Sequence, residues 1–128
     1  MKVENIKFKA KRLDNGEWVE GSLISTAGIK ERAYIVDNFS SMSDYSVIGV
    51  DPSTVCQFTG LKDCNGKEVW EGDIVSPPLI REAFKIEWDK FSCGFISVDN
   101  TGYICSPISS FIRNSNWVVI GNKFDKEK

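Results

Sequence analysis

The chain has no histidine anywhere in its 128 residues. Histidine is the side chain whose ordinary pKa lies nearest neutrality, so the usual general base and the commonest metal ligand are both missing. The four cysteines, Cys56, Cys64, Cys93 and Cys105, form no CxxC pair and have no imidazole to activate them as nucleophiles. A structural zinc would have to gather all four thiolates from distant segments. They read instead as scattered small apolar side chains and surface thiols, with neither metal nor disulfide expected. A Gly-rich phosphate loop is also missing, because NGKEVWEG at 65–72 does not fit GxxxxGK[ST]. No stretch approaches the roughly 20 apolar residues of a membrane span. The opening residues hold no apolar run of the roughly 7–15 residues that marks a signal peptide. The expectation is a cytoplasmic protein with no membrane attachment, no cofactor and no enzymatic activity.

A strong excess of one charge is absent too. Lys and Arg number 16 against 18 Asp and Glu, and the net charge of −2 does not favour attraction of the whole molecule to nucleic acid or to an anionic membrane. The distribution is less even. Lys2, Lys7, Lys9, Lys11 and Arg12 face only Glu4 within the first twelve residues. A lysine-guarded edge strand is the plain reading, and a nucleic-acid-contacting face is the alternative. What the chain does have is 41% hydrophobic residues, enough for an ordinary core at a length that buries roughly two-thirds of its unfolded surface.

Short alternating segments dominate. Ile6, Phe8 and Ala10 alternate with Lys7, Lys9 and Lys11, which predicts a half-buried strand. Asn15-Gly16 predicts a hairpin turn, followed by a strand over 17–25 that is interrupted at Gly21. Strands are expected over 33–36 and 46–50, with a polar loop over 38–45 between them. Asp51-Pro52 reads as an N-cap before about one helical turn. Extended chain over 57–61, a turn over 63–66, a return strand over 67–70, a bend at Gly72 and a strand over 73–75 follow. Phe84, Ile86 and Trp88 alternate with Lys85, Glu87 and Asp89, so the first three are expected in the core. Residues 93–98 and 103–105 flank a hairpin connection at 99–102. Ser106-Pro107 resembles another N-cap, with Ile108, Phe111 and Ile112 suiting one or two helical turns. The last strand is expected over 117–120.

This pattern predicts a mainly β protein with only short helical turns. An N-terminal β element (1–56) would pack with an SH3-like small β-barrel part (57–122), followed by a frayed tail (123–128). The barrel expectation rests on the order strand, strand, hairpin, short helical turn, strand from about Glu71 onward.

One pattern occurs twice. NGEWVEGSLI (15–24) and NGKEVWEGDIV (65–75) each run from Asn-Gly through a Trp to Glu-Gly and two apolar residues. The Asn-to-Glu interval is five in one copy and six in the other, and such a slip swaps the faces of a strand. A turn-and-bend shape used twice explains the glycines; a paired binding surface is the alternative. Gly16 and Gly66 are then expected at positive φ, Gly21 and Gly72 at bends or bulges, and Glu20 and Glu71 largely exposed. Glu68, Glu71 and Asp73 lie close enough in sequence to hold a divalent cation, but the ordinary reading is solvated acids, with Asp73 bonding its own turn.

QFTGLKDCNGKEVWEGDIV (57–75) resembles the signature segment of the YopX family of phage and prophage proteins. That pattern runs from Gln-Tyr/Phe-Thr-Gly-Leu through Lys-Asp and Asn-Gly-Lys to Glu-Gly-Asp-Ile-Val. IKFKA (6–10), WVEGSLI (18–24) and VVIGN (118–122) are similar to its opening, second and closing strands. Cys64 stands where a polar turn residue is usual and Trp70 where Tyr is common. The resemblance implies a small β fold with an SH3-like C-terminal part and a phage or prophage origin; it implies no activity and no catalytic residues. The expected function is a protein-interaction or self-assembling module, possessing a protein partner or forming a homo-oligomer. The alternative is a nucleic-acid-binding accessory protein using the basic first strand and the barrel loops. The interaction candidates are Trp18, Trp70, Lys7, Lys9 and Lys11.

Overall fold

A computed structural model of the chain describes residues 2–26, 32–38, 45–76, 83–99, 104–107 and 117–125. Among the described residues the strands are β1 (Phe8–Lys11), β2 (Trp18–Thr26), β3 (Arg32–Asn38), β4 (Tyr45–Val50), β5 (Cys56–Lys62), β6 (Glu68–Trp70), β7 (Asp73–Ser76), β8 (Phe84–Asp89), β9 (Gly94–Val98), β10 (Ile104–Pro107) and β11 (Val118–Asn122). Among the described residues the helical elements are two short 3₁₀ turns, Val3–Asn5 and Pro52–Thr54. The protein is mainly β. One antiparallel sheet has the order β4-β3-β2-β1-β5-β6 and the other β10-β9-β8-β7-β11. The chain divides into two compact units, Met1–Phe58 and Thr59–Lys128, so the division falls inside β5 rather than after residue 56.

The two sheets contain the same plan. Four consecutive strands form a meander, and a later strand pairs with the first of them: β5 with β1, and β11 with β7. In the C-terminal unit no ladder among the described residues joins β10 to β11, so that sheet is open there and not the closed barrel expected for 57–122. In the N-terminal unit a single bridge joins Arg12 to Val50. Hydrogen bonds from Leu13 N to Gly49 O (3.1 Å) and from Asp51 N to Lys11 O (2.9 Å) flank it.

Alternation explains the N-terminal core. Ala10, Ala33, Ile35 and Val50 are buried together, with Phe8, Val19, Leu23, Ile48 and Val55 packed against them. Fully burying a side chain such as Ile35 contributes about 2 kcal/mol. Gly21 sits in a continuous strand and not at the expected bend or bulge. It is opposite Phe8 of β1, while Ser22 is already opposite Val36 of β3, so β2 changes partner at this point. A Cβ on Gly21 would run into the Val36 carbonyl. Asp51 caps its turn as expected, its Oδ1 accepting from Ser53 N (3.0 Å) and Ser53 Oγ (2.8 Å).

In the C-terminal unit Val69, Val75, Phe84, Ile86 and Trp117 form the core, with Leu61, Phe95 and Val119 against it. Phe84 and Trp117 pack with ring centroids 5.2 Å apart. Trp88 corrects the sequence reading: it is 48% exposed, not buried. It lies on the core face of β8, but two residues beyond Ile86 the strand has outrun the core. Its cross-strand partner Phe95 meets it edge-on, with centroids 5.2 Å apart. Trp88→Ala should therefore cost only about 1–2 kcal/mol, the scale of one aromatic pair plus partial burial. A denaturation midpoint corresponding to a loss above that range would show that the indole is held more deeply.

Other expectations need correction. Ser106 and Pro107 belong to β10 instead of opening a helix, with Pro107 opposite Ile96. Because β10 is an edge strand, the N–H that proline lacks need not belong to a ladder. Residues 123–125 are tied down where a frayed tail was expected: Lys123 N donates to Gly72 O (2.9 Å) and Phe124 N to Asn122 Oδ1 (3.0 Å). The hairpin connection at 100–102, the helical turns expected around Ile108, Phe111 and Ile112, the loop core at 39–44, the side chain of Cys105 and the tail beyond 125 lie outside the described residues.

Gly16 (φ 73°) and Gly66 (φ 81°) lie in turns with positive φ, as the Asn-Gly pairs predict. Gly72 (φ 84°) also turns left-handed, between β6 and β7. The two copies of the pattern therefore share the Asn-Gly turn only: the first Glu-Gly is inside a strand, the second is a turn. Glu20 is exposed, but Glu71 is half-buried.

Candidate functional site

The segment 57–75 was the most distinctive stretch of the sequence, and its polar side chains serve the backbone. Thr59 Oγ1 donates to Val69 O (2.6 Å). Asp63, buried, accepts from Asn65 N and Lys67 N through Oδ1 (both 2.9 Å) and from Val119 N through Oδ2 (3.0 Å). Burial alone would raise its pKa. The three N–H donors from Val119, Lys67 and Asn65 outweigh that and hold the carboxyl below its ordinary value. Beside it, Cys64 N donates to Trp117 O (3.2 Å).

The Glu-Gly-Asp end is built likewise. Buried Asp73 accepts from Trp70 N through Oδ2 (2.7 Å) and from Asn122 Nδ2 through Oδ1 (2.9 Å). Asn122 Nδ2 also reaches Glu71 O (3.3 Å). Gly72 N donates to Ile86 O (2.6 Å). Among the described residues no group of three or more acids, cysteines or histidines is placed to hold a metal ion. Asp63 and Asn122 were missed by sequence reading. An Asp three residues before a turn glycine is a visible signal for the first; nothing local marks the second.

Four of the five interaction candidates come together. Lys9 and Lys11 lie over the Trp18 ring, at 4.6 and 5.3 Å from its centroid, and Lys7 lies over Phe58 at 4.7 Å. Such contacts hold a cation on an aromatic face. β1 is an interior strand between β2 and β5, so its lysines do not guard an edge as expected. Glu20 stands directly opposite Lys9, which makes the face mixed in charge. Trp70 is not among them: it belongs to the C-terminal unit and is 4% exposed.

The ladder registers expose a surface that the sequence reading did not single out. Leu23, Ile35 and Ile48 form one cross-strand row of β2–β4, on the core side. The rows beside it, Ile24–Tyr34–Gly49 and Ser22–Val36–Val47, face away from that core and are apolar except at Ser22 and the Tyr34 hydroxyl. Ile24 is 48% and Val47 55% exposed. At the end of this face Leu13, Arg32, Tyr34, Gly49 and Pro52 line a groove of about 210 Å³, with Leu13 70% exposed.

The fold and site together define a mainly β protein of two units. Its distinctive central segment is a scaffold, and its exposed apolar groups are displayed on sheet faces and turns. The chain belongs to the YopX family: the model of that family, described as YopX protein, matches residues 7–127. No curated protein matches the chain. Among the described residues no helix is long and apolar enough to cross a membrane.

Proposed function

We propose that the chain is a non-enzymatic protein-interaction module that docks a partner protein on the outer face of β2–β4. The observation that supports this is a sheet that carries large apolar side chains on both sides. Antiparallel strands with one side in water ordinarily alternate apolar and polar; here Ile24, Tyr34, Val36 and Val47 stand at outward positions, between Ser22 and Arg32. A contiguous apolar patch of this kind marks an interaction site. The shared strand plan of the two units also supports an SH3-like relationship for each. The phage or prophage origin and a bacterial cytoplasmic location follow from the family as part of the same proposal.

A second reading, nucleic-acid binding, is favoured by the row of Lys7, Lys9 and Lys11 over Trp18 and Phe58. Two variants separate the readings: Ile24→Lys with Val47→Lys, and Lys7, Lys9 and Lys11 each changed to Gln. Crosslinking in host extract should lose its protein adduct in the first variant and keep it in the second. Titration with a labelled single-stranded oligonucleotide should show no binding near physiological salt. Oligonucleotide binding that falls steeply with salt and disappears in the Gln variant would replace the first reading with the second.

A further inference from the structure

The two Asn-Gly pairs, Asn15-Gly16 and Asn65-Gly66, are reactive as well as turn-forming. In such a pair the glycine nitrogen, having given its proton to water or hydroxide, attacks the asparagine Cγ. A C–N bond forms, the Cγ–Nδ2 bond breaks, and ammonia leaves behind a cyclic succinimide. Water then opens either carbonyl of the ring. One opening gives aspartate; the other routes the main chain through Cγ as isoaspartate. Water is the only co-reactant, and glycine admits the attack best because it has no side chain beside the nitrogen.

By sequence the two sites are equal, and their attacking nitrogens are held alike. Gly16 N donates to Arg12 O and Gly66 N to Asp63 O, both at 3.0 Å. The asparagine side chains differ. Asn15 Oδ1 accepts from Glu17 N (2.9 Å) and Asn15 Nδ2 donates to Glu17 Oε2 (3.5 Å). That amide is held at both ends and must surrender these bonds before it turns onto Gly16 N. Among the described residues the Asn65 amide meets only Cys64 Sγ, a weak donor 3.8 Å from Oδ1. Asn65 and Gly66 are both exposed, and a Cβ built on Gly66 would meet nothing within 4 Å, so the ring has room to form.

We propose that Asn65 is a site of spontaneous succinimide formation and isoaspartate conversion, that Asn15 is protected from it, and that the conversion loosens the turn at 63–67. The effect on the turn follows from its hydrogen bonds. Asp63 Oδ1 accepts from both Asn65 N and Lys67 N. Isoaspartate inserts an extra carbon into the main chain between those nitrogens, so they no longer converge on one oxygen. The bonds from Val119 N to Asp63 Oδ2 and from Cys64 N to Trp117 O, which tie the turn to the last strand and the residue before it, then lose their fixed platform. The site belongs to the C-terminal unit and does not rest on the docking role of β2–β4.

The test keeps the full chain in mildly alkaline buffer at physiological temperature, with a second sample in urea. Peptides covering each pair are followed by mass spectrometry, and isoaspartate is scored by fragmentation. In urea both asparagines should convert at similar rates. In the folded chain Asn65 should convert roughly fivefold or more faster than Asn15, the factor that one exposed hydrogen bond is worth as a rate. Amide exchange at Cys64 and Val119 should quicken in the converted chains. Asn65→Gln, whose longer side chain closes its ring far more slowly, should show no such change over the same period. Asn65→Asp, which carries the other product without the extra carbon, should keep the parent's protection at Val119. Conversion of Asn15 as fast as Asn65 in the folded chain would overturn the inference. So would an Asn65 that stays intact while the urea sample reacts, or isoaspartate-containing chains whose Val119 amide remains as protected as before.

Discussion

Gly21→Ala should destabilise the N-terminal unit by on the order of 3 kcal/mol, the upper range for overpacking a site that cannot relax. Overpacking is usually relieved by turning a side chain. Here the obstacle is the Val36 carbonyl, which is backbone, with Val36 C at 3.0 Å and Ile35 Cγ2 at 3.2 Å from the added carbon. Relief requires β2 and β3 to separate where Ser22 pairs with Val36. The neighbouring Ile35 is wholly buried, so the core would open with the ladder. Urea unfolding followed by fluorescence measures the change. A variant within about 0.5 kcal/mol of the parent, the scale of an ordinary surface substitution, would mean that the strands are not this close.

Asp63→Ala should cost about 3–5 kcal/mol, since it leaves three backbone donors without their charged acceptor. The groups stranded are the N–H of Asn65, Lys67 and Val119. Asp63→Asn separates charge from shape. The folded carboxyl has its pKa held below the ordinary 3.8, so the unfolded chain binds the proton more readily. Its contribution is therefore complete above the ordinary value and disappears as pH falls through the folded one. The parent should lose stability over that acid range, and the Asn variant should lose less across it. Asp14, held low first by its hydrogen bond with Arg12, and Asp89, held low first by Ser92, leave part of the acid slope in both proteins. Identical slopes for parent and Asn variant would contradict the burial of a charged Asp63.

Local chemistry made much of the fold legible. Period two placed Phe84 and Ile86 inward, Asn15-Gly16 and Asn65-Gly66 gave turns with positive φ, and Asp51 capped its turn. Period two also misplaced Trp88, because alternation fixes a face and says nothing of where the core ends along the strand. The lysines of β1 were read as an edge because nothing within the first strand reveals that β5 will pair with its other side. The lysine row with Trp18 was legible, since Lys11 lies opposite Trp18 across one hairpin. The groove was not: Leu13, Tyr34, Gly49 and Pro52 meet only through the registers of β3 and β4 and the Arg12–Val50 bridge. Asp63 with Val119, and Asp73 with Asn122, are likewise pairs that long separation in the chain conceals.

The turn at Asp63 and Cys64 has an effect on the outline of the C-terminal sheet. Among the described residues β11 is an edge strand, with no ladder on one side of it. Residues two apart in an extended strand direct their backbone groups to the same side. Trp117 O is taken by Cys64 N, and Val119 N is taken by the Asp63 carboxylate. A loop and one carboxylate thus stand where a further strand would hydrogen-bond. An extended peptide, from a partner or from another copy, finds those two positions already occupied and cannot lengthen the sheet through them. Recognition at that border must proceed through side chains, which is where this protein displays its exposed apolar groups.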